Sequence, residues 1–373
     1  MSRYILRRAL QAVPVIFVIA VISFGLMYAA PGGPAAQFNQ NRFLTEAQIE
    51  AWLTRWCLES NPDIFGVLRT FGSWVGAWNC GAGRTGIVEG LLSDQGLPNI
   101  LPGFLGGGTN GILHGDFGTS INQGRPVLEV IWERVPATLV LMTTAFLIWI
   151  TIAVILGVLA AVKRYSLFDQ AVTLFSYIFY SLPTFWLGLV LIYVFAVNLR
   201  LLPTQGIVDL RNAPAAFNSP AYWAAFQANP LPQILDIARH LVMPVVTLVA
   251  VSVAADSRFV RSAMLDTLSQ DYVRTARAKG LASRTVIFRH AFRNALLPII
   301  TNVSLEIAFL FSGAIVTETI FSWPGMGRLY FEALGNRDYY LLMGILLIAS
   351  VLVVIMNLVA DVIYAFADPR IRY

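Results

Sequence analysis

Charge is what this 373-residue chain has least of: 13% of it is Asp, Glu, Lys or Arg, against 57% hydrophobic residues. Soluble domains carry about 25% charged residues, so a chain with roughly half that share is expected to live in a bilayer. Histidine and cysteine are almost missing. His114, His240 and His290 fall in segments assigned to different sides, at no metal-ligand spacing, which argues against a metal centre. There is no G-x-x-x-x-G-K-S/T stretch, which excludes ATP binding and hydrolysis by a phosphate loop. No catalytic constellation emerges either. The chain is expected to be no enzyme and to bind no cofactor of its own.

What is plentiful is long apolar runs, and about 20 apolar residues span a bilayer as a helix. Span one is read from Ala9 to Ala30, behind Arg3, Arg7 and Arg8, and Pro31-Gly32-Gly33-Pro34 stops it. Its length argues against a cleaved signal peptide. Residues 31–136 follow as an extracytoplasmic insertion with six basic and nine acidic residues. Helices are expected there at Thr45–Trp56, behind a Thr45-Glu46-Ala47-Gln48 capping box, and at Pro126–Arg134.

Spans two to six are expected at Ala137–Val162, Ala171–Leu199, Leu241–Ala255, Ala295–Val316 and Tyr339–Ala360. Pro183 should kink span three, which neighbouring helices tolerate. Span four has only 15 apolar residues, so its helix should run on past Asp256. Lys163-Arg164, the basic loop 256–294 and the tail 368–373 share the side of the N-terminal arginines, and the positive-inside rule makes that side the cytoplasm. The segment 200–239 falls outside. The expected architecture is an all-α membrane protein of six transmembrane helices with both termini cytoplasmic: helix 1 within residues 1–30, the insertion 31–136, helices 2–6 within residues 137–367, and the tail 368–373. A pI near 9.3 would suit nucleic acid, but the basic residues gather in loops between apolar runs. Membrane lipid, not nucleic acid, is the expected anionic neighbour.

Polar groups inside the spans are few. Asn302 and Glu306 sit four apart near the middle of span five, and Asn357 and Asp361 repeat the spacing at the end of span six. A charge at mid-bilayer costs about 2.5–3.5 kcal/mol on insertion scales. Glu306 and Asn302 are therefore candidates for a polar translocation path, the competing role being hydrogen bonding between helices; for Asp361 the second role is preferred. Cys57 and Cys80 enclose 22 residues of the insertion. A disulfide between them is preferred over two free thiols, because both lie on the oxidising side.

The densest positive charge lies between Asp256 and Arg293, with eight basic and three acidic residues. Asp271 to Lys279 has good helix formers, Gly280 suits a left-handed helix end, and Ser283 can N-cap a second helix. Arg289 and Arg293 share one face of it, Phe288 and Phe292 another. This layout resembles the EAA loop of ABC importer permeases. Aligned on Gly280, Ala276 matches the second Ala of that pattern. Arg274 and Thr275 replace its Glu and first Ala, and His290, Phe292 and Arg293 replace its Ile, Leu and Pro. The longer string Tyr272 to Leu281, with Arg289-His290-Ala291, is similar to the dipeptide/oligopeptide branch of the family. There Arg293 usually aligns with a proline, so the second helix should be straighter here.

Further strings carry the same resemblance. They are Gly115-Asp116-Phe117-Gly118-Thr119-Ser120, Ser181-Leu182-Pro183-Thr184-Phe185-Trp186, Leu202-Pro203-Thr204-Gln205-Gly206, Glu318 to Gly327 (ETIFSWPGMG), and Asp368-Pro369-Arg370. The Arg-Arg start and Pro31-Gly32-Gly33-Pro34 look like the first of the two permeases in such systems. Only about Trp52 to Leu113 falls outside the likeness.

The resemblance implies a type I importer fold and a heterodimer with a second homologous permease. It also implies two cytoplasmic ATPases that hold the ATP and Mg, and an extracytoplasmic solute-binding protein, in a bacterial or archaeal cytoplasmic membrane. Under it, Arg274, Ala276, Arg277, Gly280, Arg289, His290 and Arg293 form the ATPase-coupling loop, the competing role of its arginines being topology and lipid contact. Trp323, Pro324, Gly325 and Met326 are candidates for an outer gate or a binding-protein contact, the alternative being a loop packed for stability. The implied solute is a peptide. Nickel, an opine or a glycoside is the alternative within the branch, and a self-contained proton-coupled carrier using Glu306 is the alternative outside it.

Overall fold

The computed structural model describes residues 2–29, 116–120, 122–209, 217–310 and 313–367, with Arg211 and a few positions between 67 and 75. Cys57, Cys80, the expected Thr45–Trp56 helix, most of the insertion and the tail 368–373 lie outside the described residues. Among the described residues every regular element is helical, apart from an isolated bridge between Thr119 and Pro126.

Helix α1 is Ser2–Ala29 and α2 is Val127–Val162. The helix expected at Pro126–Arg134 and span two are thus one helix, and the boundary expected at Pro136 falls inside it. A proline removes one intrahelical bond, and here that loss does not end the helix. Helix α3 is Leu167–Ser181, with Ser166 as its N-cap accepting from the Asp169 amide. Helix α4 is Thr184–Leu191, continued by a π-helical stretch Ile192–Asn198. Leu182 is extended at φ −78°, ψ 129°, as a residue before proline tends to be. The two halves meet at 97°, so the kink expected at Pro183 is a break.

Helix α5 is Pro220–Ala228 and α6 is Pro230–Leu268. Helix α6 passes through Asp256, as its short apolar run requires, but starts 11 residues before the expected span. Helix α7 is Asp271–Ala278. Ser283–Thr285, a π-helical stretch Val286–Phe292 and Arg293–Phe309 then follow without a gap and together are α8. The second helix of the loop therefore continues through a π stretch into span five. Helices α9 (Ile315–Ile320), α10 (Met326–Gly335) and α11 (Tyr339–Ala367) complete the chain. Span five, expected to reach Val316, stops at Phe309, and Gly313 at φ +79° precedes a separate α9. Among the described residues, α2, α6 and Tyr339–Val359 are long and apolar enough to cross a membrane, as is the bent α3–α4 pair taken as one span.

The chain divides into two compact units. One comprises Met1–Ala9, Arg134–Leu329 and Leu352–Tyr373. Its core has one cluster around Leu141, Phe146, Trp149, Tyr222 and Trp323, and another around Val158, Val260, Met264 and Val273. Helices α2 and α6 touch at Gly157, where a Cβ would lie 2.6 Å from the Ser257 carbonyl oxygen. Small residues allow such close helix crossings in membranes. Asp169 of α3, almost fully buried, takes both Nε (2.6 Å) and a terminal nitrogen (2.8 Å) of Arg261 on α6.

The other unit comprises Leu10–Glu133 and Tyr330–Val351. There the Gly115-to-Ser120 string acquires a physical reason. Asp116 caps the Gly118 amide at 2.9 Å, and Ser120 donates to the buried Asp338 at 2.5 Å. Asp338 in turn accepts from the Leu341 amide and so caps α11.

Candidate functional site

The basic turn is built on a left-handed glycine. Gly280 has φ +73°. Its amide donates to Arg277 O at 3.0 Å while the Leu281 amide donates to Ala276 O at 3.4 Å, the paired bonds of a Schellman helix end. No heavy atom lies within 4 Å of where a Gly280 Cβ would be, so backbone conformation, not space, demands the glycine.

Val273 and Ala276 are the buried face of α7, packed with Val260, Met264, Val286 and Ala291. Arg274, Arg277 and Lys279 point to solvent, as do Tyr272 and Leu281. The expected N-cap moves by one residue: Ala282 precedes the helix without a side-chain bond, and Ser283 is its first residue.

The π stretch sets which residues face inward. Val286, Ala291, Ala295 and Ile299 are buried, in steps of five, four and four. A regular α-helix would carry the stripe from Val286 to His290; the extra residue puts Ala291 there and leaves His290 half-buried. Arg289 and Arg293 are exposed, and Phe288 meets Phe292 edge-on at 6.4 Å. Beside the turn an open groove of about 730 Å³ runs along Phe259, Asp266, Gln270, Tyr272, Asn294 and Pro298. His240 stands apart from all this, its Nδ1 2.9 Å from Asp236 O one turn back.

The Glu318-to-Gly327 string forms a closed knot. Glu318 is fully buried, and its carboxylate accepts from Thr138 Oγ1 (3.0 Å), the Arg328 amide (2.9 Å) and the Ala314 amide (3.4 Å). A Cβ on Gly325 would come within 2.5 Å of that carboxylate, and one on Gly327 within 2.7 Å of the Ile315 nitrogen. The Met326 amide donates to Thr138 Oγ1 at 2.7 Å, and the Trp323 indole to Ala137 O at 2.8 Å. Trp323, Gly325 and Met326 are buried and Pro324 is half-buried. The Leu202-to-Gly206 string joins the knot, because the Gly206 amide donates to Phe321 O at 2.9 Å.

A third site lies among α2, α6 and α8. Asn302 Nδ2 donates to Glu306 Oε1 at 3.1 Å and, weakly, to Asp256 Oδ1 at 3.4 Å. The Asn302 amide thus bridges the two carboxyls, and Trp149 packs among their neighbours Val253, Val303 and Ile307.

Residues 153–373 match the family described as binding-protein-dependent transport system inner membrane component. The chain belongs to that family. It is 36% identical to the oligopeptide transport system permease protein AppB of Bacillus subtilis, over the whole of both chains. It is 40% identical over 271 residues to the dipeptide transport system permease protein DppB of Escherichia coli, covering 70% of this chain and 78% of that protein. The di/tripeptide permease DppB of Pseudomonas aeruginosa is 40% identical over 262 residues, with the same coverage.

The family match contains Gly280, Asp256, Asn302, Glu306 and Glu318, while Thr138 and Trp149 precede it. The sequence singles out Asn302 and Glu306 without the other members of their cluster. In the sequence Asp256 counts with the charge of the basic loop, although an aspartate where an apolar run stops is an available signal. The burial of Glu318 is not legible in its string, because it comes from the close approach of Gly325 and Gly327 in the fold. Thr138 and Trp149 carried no local signal.

Proposed function

We propose that this chain is the transmembrane permease subunit of an ATP-driven importer that moves peptides across the cytoplasmic membrane. The observation that carries this reading is the full-length likeness to the oligopeptide permease of Bacillus subtilis. The dipeptide and di/tripeptide permeases at 40% identity support the same solute class. In this reading six helices span the bilayer with both termini in the cytoplasm of a bacterium or archaeon. A second homologous permease completes the pathway, an external binding protein delivers the peptide, and two ATPases bind ATP and Mg. This chain carries out no chemistry itself.

The turn around Gly280 is the coupling element. Val273 and Ala276 bind α7 to the ends of the long helices, while Arg274, Arg277, Arg289 and Arg293 face outward for the ATPases, with His290 at the edge. A short helix fastened in this way transmits rigid-body closure of the ATPases to α6 and α8. Asn302 and Glu306 line the path. Trp323, Pro324, Gly325 and Met326 act at the outer gate through the knot that seats α10, since their own side chains are largely enclosed.

The test is co-purification from native membranes, followed by identification of the solute on the binding protein. Recovery of ATPases and a bound peptide is expected. Recovery of nickel, an opine or a glycoside on that protein would move the substrate, and absence of any ATPase would end the importer reading.

A further inference from the structure

The cluster of Asp256, Asn302, Glu306 and Trp149 is incomplete in itself. Asn302 uses one nitrogen for both acids, at 3.1 Å to Glu306 and 3.4 Å to Asp256. Glu306 Oε2 is buried and has no hydrogen bond. Trp149 is 6% exposed, packs in one cluster with Val253, Val303 and Ile307 beside the two acids, and its indole N–H has no hydrogen bond. An open acceptor and an open donor thus lie at one place inside the protein, where such groups normally find partners.

Among the described residues no cation supplies the missing partner. Arg258 donates to Ala254 O and stacks on Tyr180 at 4.6 Å, and Arg261 is held by Asp169. Among the described residues the ion pairs involve neither Asp256 nor Glu306.

The group that satisfies this arrangement carries a cationic donor beside an acceptor. A bare metal ion meets only half of it, because an indole N–H is a donor and offers no lone pair. The amino end of a peptide meets both halves, with its ammonium and its first carbonyl oxygen on the same residue. We propose that Asp256, Glu306 and Trp149 form a subsite for the N-terminal ammonium of the peptide in transit. Glu306 Oε2 and Asp256 accept from the ammonium, Trp149 Nε1 donates to the first carbonyl, and Asn302 sets the spacing of the two acids. This rests on the peptide reading above.

The test uses the complete importer in liposomes, carrying wild-type or variant chain with one and the same binding protein, and reads ATP-driven uptake of labelled dialanine. Glu306→Gln keeps the shape and the bond from Asn302 but removes the charge. It is expected to lower uptake at least tenfold, whereas Glu306→Asp stays within about threefold of wild type. Asp256→Asn should repeat the loss, which covers any failure of the Glu306→Gln chain to assemble. Trp149→Phe should lose about three- to tenfold. Replacing sodium and potassium by N-methylglucamine should change nothing. Uptake within twofold of wild type in both charge-removing variants, equal losses for Glu306→Asp and Glu306→Gln, or a requirement for an inorganic cation would each overturn the subsite. If the wild-type importer takes up no peptide, the solute class itself is wrong and the subsite falls with it; the other failures leave the solute class standing.

Discussion

Thr138 and Glu318 are 180 residues apart in the chain and joined by a 3.0 Å hydrogen bond, both side chains fully enclosed. Thr138 also accepts from the Met326 amide at 2.7 Å, so one hydroxyl ties α2 to the acid and to the start of α10. A buried carboxylate is tolerated only when hydrogen bonds replace its lost water, and this one has three donors arranged around it.

Removing the acid should therefore be costly. Glu318→Ala leaves those donors buried without an acceptor, and at about 1–3 kcal/mol for each group so stranded the chain should lose about 3 kcal/mol or more. Gly325→Ala should act in the same direction, because its new methyl would meet the carboxylate at 2.5 Å. Thermal unfolding of the purified protein in detergent measures both. An unchanged midpoint in Glu318→Ala would show that the knot is not structural.

At Gly280 the expected defect is conformational. Its φ of +73° costs a residue with a Cβ roughly 1–2 kcal/mol, while the open space around it admits a side chain. Gly280→Val should uncouple ATP hydrolysis from uptake or release the ATPases, and Gly280→Asn should be milder, since Asn tolerates this region better. Uptake and ATPase activity measured together on the same preparation decide it. Normal coupled uptake in Gly280→Val would sink the coupling assignment.

Asp169 and Arg261 fasten α3 to α6 through two short bonds, with Asp169 the more deeply buried partner. Breaking such a pair strands a charge, at about 3–5 kcal/mol, whereas replacing both partners with apolar groups can be neutral. Asp169→Asn alone should lower the unfolding midpoint clearly, and Asp169→Leu with Arg261→Met should recover much of it. A double-variant loss equal to the sum of the separate Asp169→Leu and Arg261→Met losses would mean that the two residues act independently.

Cys57 and Cys80 are expected to form a disulfide, worth roughly 3 kcal/mol to the insertion on the chain-entropy model. Mass spectrometry of non-reduced peptides should find the pair linked. Two alkylatable thiols would end the idea.

The apolar runs announced most of the helices because burial in lipid leaves a composition signal in every turn. Helix ends were less legible. Pro136 looks like a boundary and lies inside α2, where Val130, Ile131 and Val135 before it and Ala137 and Leu141 after it are all buried, so one lost bond does not end the helix. The π stretch at Val286–Phe292 could not be read either, since its cause is the need to keep Ala291 rather than His290 against α6 and α7. Gly280 was legible because a left-handed helix end selects glycine locally. Asn302 and Glu306 were legible as a pair on one helix, whereas Asp256 and Trp149 reach them only through tertiary packing. The same holds for Thr138, whose partner comes from the far end of the chain.

A passive pathway driven by partner ATPases has a clear signature in liposomes reconstituted from the purified parts. Labelled dipeptide should accumulate only when the second permease, the ATPases, the loaded binding protein and ATP are all present. Uptake by the purified chain alone, driven by a proton gradient without ATP, would contradict it.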